Sequence, residues 1–417
     1  MIRARKLTAF PPVLLLAAPL AVALSVGASS AVAEDPVRLT DLRPGGESGV
    51  ANLDAAVFAG KLYFAATATG ADLDLWVYDG VSAPSMVTGG GQLQPEELMV
   101  WQGALYFEAG PFTDRELWRY DGVNPPVEAL DLLPGGSGQP TNLAAVGPEI
   151  CFGAFTNTID GDQLVCWDGA TAPDVHELRE GGGAGPEAMT VLGSTLYFNA
   201  YADEVGSEPF AYQNFSPPDL VADLVSGIGS SNPESFAQVG ASVYFRASGR
   251  AWSYDGVLPP AIVSSTFVMH GGLAAWGDRL LAGGYLDEEL DAPSGAYPQL
   301  HIRRDSGFVA LPWDGGSVPA SGPFLHHREA IYFRASPSVT ASDLFRYCGG
   351  GLVERVTDQF ADVSYISSPP IVFQGRIYFS AYEAATGHEL WVLDPFTATF
   401  CDGFEEGNDD AWSAAAP

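Results

Sequence analysis

An all-β chain folded as an eight-bladed β-propeller is what this sequence predicts, on three observations. A triplet of Leu-Tyr-Phe type comes round eight times, starting at Leu62, Leu105, Ile150, Leu196, Val243, Leu280, Ile331 and Ile377. Its interval of about 45 residues marks stacked supersecondary units that cannot bury their apolar faces alone. Behind the triplets come phrases such as Glu116-Leu117-Trp118-Arg119-Tyr120-Asp121-Gly122. The runs are short, rich in Tyr, Phe, Trp, Val and Leu, and bounded by Gly, Pro and Asp, which is strand chemistry, without the i, i+3, i+4 spacing of a helix. Four strands per repeat, set radially around a channel, leave only short protected edges.

Residues 1–33 read as a signal peptide: Arg3, Arg5 and Lys6, then the apolar stretch Val13 to Leu24, then the small-residue site Ala31-Val32-Ala33. The mature chain is expected to start near Glu34 and to be exported, to the extracellular space, the cell surface or the periplasm. No transmembrane segment is expected, because no stretch approaches the ~20 apolar residues that a spanning helix needs. Residues 34–400 hold the repeats. In the second repeat, strands are expected at Glu97 to Val100, Ala104 to Ala109, Glu116 to Tyr120 and Val127 to Leu132. Between third and fourth strands stands Asp-Gly, at Asp79, Asp121, Asp168 and Asp255, a turn-forming pair. The phrase Leu39-Thr40-Asp41-Leu42 looks like a fourth strand with no blade of its own. An N-terminal strand within Val37 to Leu42 is therefore expected to complete the last blade and close the ring. The sixth unit is irregular: Gln299 to Asp305 lacks the Trp and the Asp-Gly, and an acidic loop from Leu286 to Pro298 intervenes. Seven blades with an irregular insertion is the alternative. Residues 401–417 form an acidic C-terminal tail.

The chain carries 51 Asp and Glu against 19 Lys and Arg, a net charge of −32; residues 1–33 hold three basic and no acidic residues, so their removal takes it to −35. Charge of this size favours solubility and argues against nucleic acid or anionic lipid as partners. A monomer is the favoured state. Four cysteines in an exported chain suggest two disulfides, with three pairings open. Cys151 and Cys166 fall on neighbouring strands of one blade and form a plausible local pair. Cys348 then pairs with Cys401, clipping the tail onto the penultimate blade.

The runs Glu116 to Gly122, Asp74 to Gly80 and Glu389-Leu390-Trp391, with Asp131-Leu132-Leu133-Pro134-Gly135 upstream of a blade, resemble the ELWxxDGT repeat family of secreted bacterial proteins. The resemblance covers almost the whole mature chain and implies a propeller and export, without supplying a reaction. Glu208-Pro209-Phe210 and Asp343-Leu344-Phe345 depart from it by putting Phe in place of Trp. The tail from Cys401 to Ser413 is similar to the DGFESG-type endings of secreted bacterial proteins, which implies a sorting or surface role. Ala381 to Trp391 is similar to the docking motif of quinoprotein dehydrogenases, in one blade only.

Large aromatics at a fixed strand position are what neighbouring blades need to pack face to face. Motifs of hydrolases and calcium loops are absent: no GxSxG, no HExxH, no EF-hand loop. His326 and His327 are adjacent on a strand and point to opposite faces, so they do not readily share a metal. The remaining constellation is Glu96, Glu187 and Glu234, each behind a proline at the start of a first strand, where the chain reaches the channel mouth. Carboxylates gathered there would hold a hard cation such as Ca²⁺ through oxygen ligands. No other cofactor is indicated. The expectation is a secreted, non-enzymatic binding or surface-interaction module for a protein or glycan ligand, cation-assisted at that rim. The alternative is a secreted propeller enzyme, quinoprotein-like or glycan-active, with its site in the central channel.

Overall fold

The computed structural model describes residues 36–394, apart from 71, 89–92, 158–160, 288–298, 306, 312–319, 339–340, 350–352, 358–362 and 367–368. Residues 1–33, read above as a signal peptide, the tail with Cys401, and most of the acidic loop of the sixth repeat lie outside the described residues. The fold is an eight-bladed propeller of antiparallel four-stranded sheets. Blade 1 runs Ala55–Phe58, Lys61–Ala66, Asp74–Tyr78, Ser85–Met86, and blades 2 to 5 repeat that order down to Ala261–Ile262. Blade 6 is complete: Phe267–Trp276, Arg279–Leu286, Gln299–Arg304 and Gly307–Ala310 are paired in sequence, which removes the seven-bladed alternative. In its third strand His301 takes the position of the missing Trp and packs edge-on against Phe267 at 4.9 Å. Blade 7 is built from 320–355. Blade 8 has an innermost strand in two pieces, Val363–Ile366 and Ile371–Phe373, both paired with Arg376–Glu383, which pairs in turn with Gly387–Leu393.

The Leu-Tyr-Phe triplet explains the ring. Successive residues of a strand face opposite sides, and a blade has a neighbour on each side. Leu105 and Phe107 therefore pack into the seam with blade 1, while Tyr106 packs into the seam with blade 3. The same split holds for Ile150 and Phe152 against Cys151, and for Ile377 and Phe379 against Tyr378. Eight apolar clusters result, one per seam, including that between blades 8 and 1.

Closure is by the N-terminal strand. Val37 and Arg38 pair antiparallel with Val392 and Trp391 as the fourth strand of blade 8. Thr40 Oγ1 donates to Glu389 at 2.6 Å, and the Leu42 N–H donates to the other oxygen of that carboxylate at 3.1 Å. Glu389 illustrates a role that sequence reasoning missed. In blades 2, 4 and 8 the acid near the start of the third strand is buried and accepts backbone N–H groups from the loop that leads to the next blade. Glu116 receives Leu132 and Gly138 at 2.7 and 2.8 Å, and Glu208 receives Leu224 and Ser231, both at 3.1 Å. The carboxylate thus satisfies buried donors that no strand pairs. Burial pushes the Glu116 and Glu389 carboxyls above their ordinary value, against the pull of these bonds.

The Asp-Gly turns join the same scheme. Asp121 Oδ1 accepts the Val123 and Asn124 N–H groups at 2.8 Å each, and Asp79, Asp168 and Asp255 repeat the arrangement. Gly122 and Gly169 have φ near +89° and +85°, and a Cβ there would come within 3.1 Å of Phe58 and Trp101 on the preceding blade. Backbone sign and space both demand glycine. Cys151 and Cys166 stand opposite one another and form the expected disulfide. The expected partner of Cys348 lies outside the described residues.

Candidate functional site in the channel

Innermost strands line the channel, and Glu96, Glu187 and Glu234 are each the first residue of one, as the sequence places them. The residue after each lies in the left-handed region, φ being +60° at Glu97, +54° at Ala188 and +54° at Ser235. The ladder shifts there in all three blades. The bulge frees backbone N–H groups towards the neighbouring blade. The structure does not bring the three glutamates together. Glu96 lies 3.4 Å from Arg115, Glu187 accepts Asn199 Nδ2 at 2.8 Å, and Glu234 bonds Arg246. Among the described residues, no three His, Cys, Asp or Glu side chains are grouped as metal ligands.

On the side of blades 1 to 3, the wall is closed by carboxylates. Asp54 of blade 1 accepts the N–H groups of Glu97 and, at 3.0 Å, Leu98 at the bulge of blade 2. The Glu97 carboxylate does the same for Asn142 and Leu143 of blade 3. Beside them Glu108 is locked to Arg115 at 2.6 Å, both side chains buried. Burial raises the pKa of Asp54 and of Glu97, and neighbouring carboxylates add to it.

On the side of blades 4 to 7 the wall opens into a cavity of about 680 Å³, within the range of small-molecule sites. Its polar lining includes Glu234 and Arg246 of blade 5, His270 of blade 6 and His326 of blade 7; Phe236, Leu273 and Phe324 supply apolar surface. Space arises where blade 6 has Gly271-Gly272 in the place of Glu96-Glu97 of blade 2 and Glu234-Ser235 of blade 5. His270 Nε2 meets the Tyr285 hydroxyl at 2.8 Å, and the two rings stack. Desolvation lowers the His326 pKa below its ordinary value. His327, pointing the other way, meets the Gly375 carbonyl at 3.1 Å. Of this set the sequence reading singled out Glu234 and the His326-His327 pair. Arg246 and His270 carry no motif; only their departure from the repeat could have drawn notice.

No protein-family model matches the chain, and no curated protein does. Solved structures resemble it in fold. A puromycin-hydrolysing peptidase of Mycobacterium tuberculosis is 14% identical, with a TM-score of 0.48 over 81% of this chain and 60% of that one. A prolyl endopeptidase, described in terms of inter-domain dynamics, is 11% identical, with 0.48 over 82% and 56%. The β-propeller domain of the Trilobed protease from Pyrococcus furiosus, described as having an open velcro topology, is 8% identical, with 0.44 over 82% and 95%. The chain spans little more than half the length of the first two peptidases, at 60% and 56%. These findings correct the expectation of a non-enzymatic module. Those proteins are described as peptidases or proteases.

Proposed function

We propose that this chain is an exported enzyme whose reaction takes place in the channel cavity between blades 4 and 7. The observation that carries this reading is the convergence of His270, His326, Glu234 and Arg246 on one roomy cavity, in a ring whose other wall is closed. The export signal read at residues 1–33 supports its placing outside the cytoplasm. His326, its pKa lowered by desolvation, takes a proton from a water molecule whose oxygen bonds to the electrophilic atom of the substrate; His270, oriented by Tyr285, gives a proton to the leaving group as the scissile bond breaks, and both rings exchange protons with solvent to reset. The reaction class is cleavage of a polar bond by general acid–base catalysis.

The test is a screen of chromogenic amides, esters and glycosides with the purified mature chain, followed by His326→Gln and His270→Gln on the substrate found. Each substitution is expected to lower kcat/KM by about 10²–10⁴-fold with the melting temperature kept. The acidic limb of the kcat/KM profile should have its midpoint below the ordinary histidine value of 6.5. Parent-like turnover in both variants would sink the assignment.

A further inference from the structure

We propose that the ligand of this cavity bears a carboxylate or similar oxyanion, held by Arg246, beside an apolar body packed on Phe236, Leu273 and Phe324. The proposal names the ligand class for the catalytic reading above and rests on it for where the ligand sits.

The argument begins from a break in the repeat. The fifth residue of each second strand stands near the start of the innermost strand. It is Glu108 in blade 2, Asn199 in blade 4, and glycine in blades 3 and 6. Blades 5 and 7 alone place a cation there, Arg246 and Arg334. The position is not used for seam packing and varies from blade to blade, so a cation there is not demanded by the repeat. In blade 2 the same neighbourhood is electrostatically filled, because Arg115 answers both Glu108 and Glu96.

Arg246 is answered less completely. Its Nη1 bonds Glu234, its Nε is buried without a partner, and it lines the cavity. A guanidinium carries five N–H donors in a planar fork that matches a carboxylate. One partner therefore leaves it donors to spare. Its neighbours in the cavity are two histidines, a Gln, a Thr, a Ser and apolar residues, with Glu234 the one carboxylate in the described lining. The net charge of −32 opposes an anion at long range, but screening confines that opposition to about 8 Å at physiological ionic strength. At contact, the charge-assisted pair decides.

Glu234 then has a role opposite to cation binding. It holds Arg246 in place and competes with the ligand for it. Removing its charge should strengthen anion binding, an effect that a purely structural Glu234 would not produce.

The test uses naphthaleneacetate and its neutral amide as probes, with binding to the mature chain followed by fluorescence and by ligand-observed NMR. The acid is expected to bind at least about tenfold more tightly than the amide. Arg246→Gln should abolish that preference, Arg246→Lys should keep part of it, and Glu234→Gln should increase it. Melting curves of each variant establish that the ring is intact. Equal binding of acid and amide, or an acid preference that survives Arg246→Gln in a folded variant, would overturn the proposal. The two readings fail separately: histidine-dependent turnover without acid preference leaves the enzyme and removes the ligand class. Arg246-dependent acid binding with turnover indifferent to both histidines does the reverse.

Discussion

The two walls of the channel use the same strand positions for opposite ends. On blades 1 to 3, Asp54 and Glu97 each reach across a seam to the bulge of the next blade, and Arg115 ties Glu108 to Glu96. Most polar groups there are answered by one another, with Arg115 Nη1 left over. On blade 6, Gly271 and Gly272 stand where those side chains were, and Arg246, His270 and His326 of blades 5 to 7 line the cavity. A repeat protein can differ in this way because each blade contributes its seams independently of what it presents to the channel. Apolar packing repeats on the second and third strands, while the residues near the channel, on the first strand and at the far end of the second, vary from blade to blade.

The largest contrast is expected between two arginines. Arg115→Gln strands Glu108, whose side chain is 6% exposed, and should cost about 3–5 kcal/mol. Arg246→Gln, in a pair with side chains 30% and 45% exposed, should cost under about 1 kcal/mol. Urea unfolding of both variants measures the difference; equal losses would erase the distinction between the walls. Next comes the latch itself. Asp54→Ala leaves two bulge N–H groups of blade 2 without their acceptor, at about 2–4 kcal/mol, and a loss below 1 kcal/mol would show that water replaces it.

A pH scan sharpens the comparison further. Asp54, Glu97, Glu116 and Glu389 have folded values raised above their unfolded ones of 3.8 or 4.5, chiefly by burial. The native state then holds more protons than the unfolded chain above those values, so stability falls as pH rises through the window. Asp121, lowered to about 2 by its turn bonds, acts in the other sense, losing its contribution as pH falls below 3.8. Burial lowers His176, His326, His327 and His388 below 6.5 and acts in the opposite sense, stability being lost as pH falls through that value, so the carboxyl effect is read as a difference between variants. From pH 5 to pH 8 the melting temperature of Glu97→Gln should gain on that of the parent; a constant gap between the two would contradict this. The smallest effect on stability is expected from Gly272→Val. It should shift unfolding by no more than about 0.5 kcal/mol yet remove naphthaleneacetate binding by filling the cavity; undisturbed binding would move the site elsewhere.

What the sequence by itself determined is the ring. Leu105-Tyr106-Phe107 declares a strand covered on both faces, Glu116-Leu117-Trp118 and Asp121-Gly122 place the next strand and its turn, and the orphan phrase at Leu39 requires closure with the last blade. The triplet is local and comes round eight times, so neighbouring copies corroborate one another. Even the irregular sixth unit kept enough of the alternation, at Leu280-Leu281-Ala282, to be placed. The fate of the polar residues was decided only by tertiary structure. Glu96, Glu187 and Glu234 look equivalent along the chain, yet cross-strand register gives them an arginine at one remove, an asparagine and an arginine as partners. The burial of Glu116 against the Leu132 and Gly138 amides depends on how a loop folds back 16 and 22 residues later. Arg246, His270 and His326 come from three blades, and nothing in their spacing marks them as neighbours. Apolar packing repeats because every seam is the same problem, whereas a cavity exists only where several strands meet around an axis that no single stretch of sequence encodes.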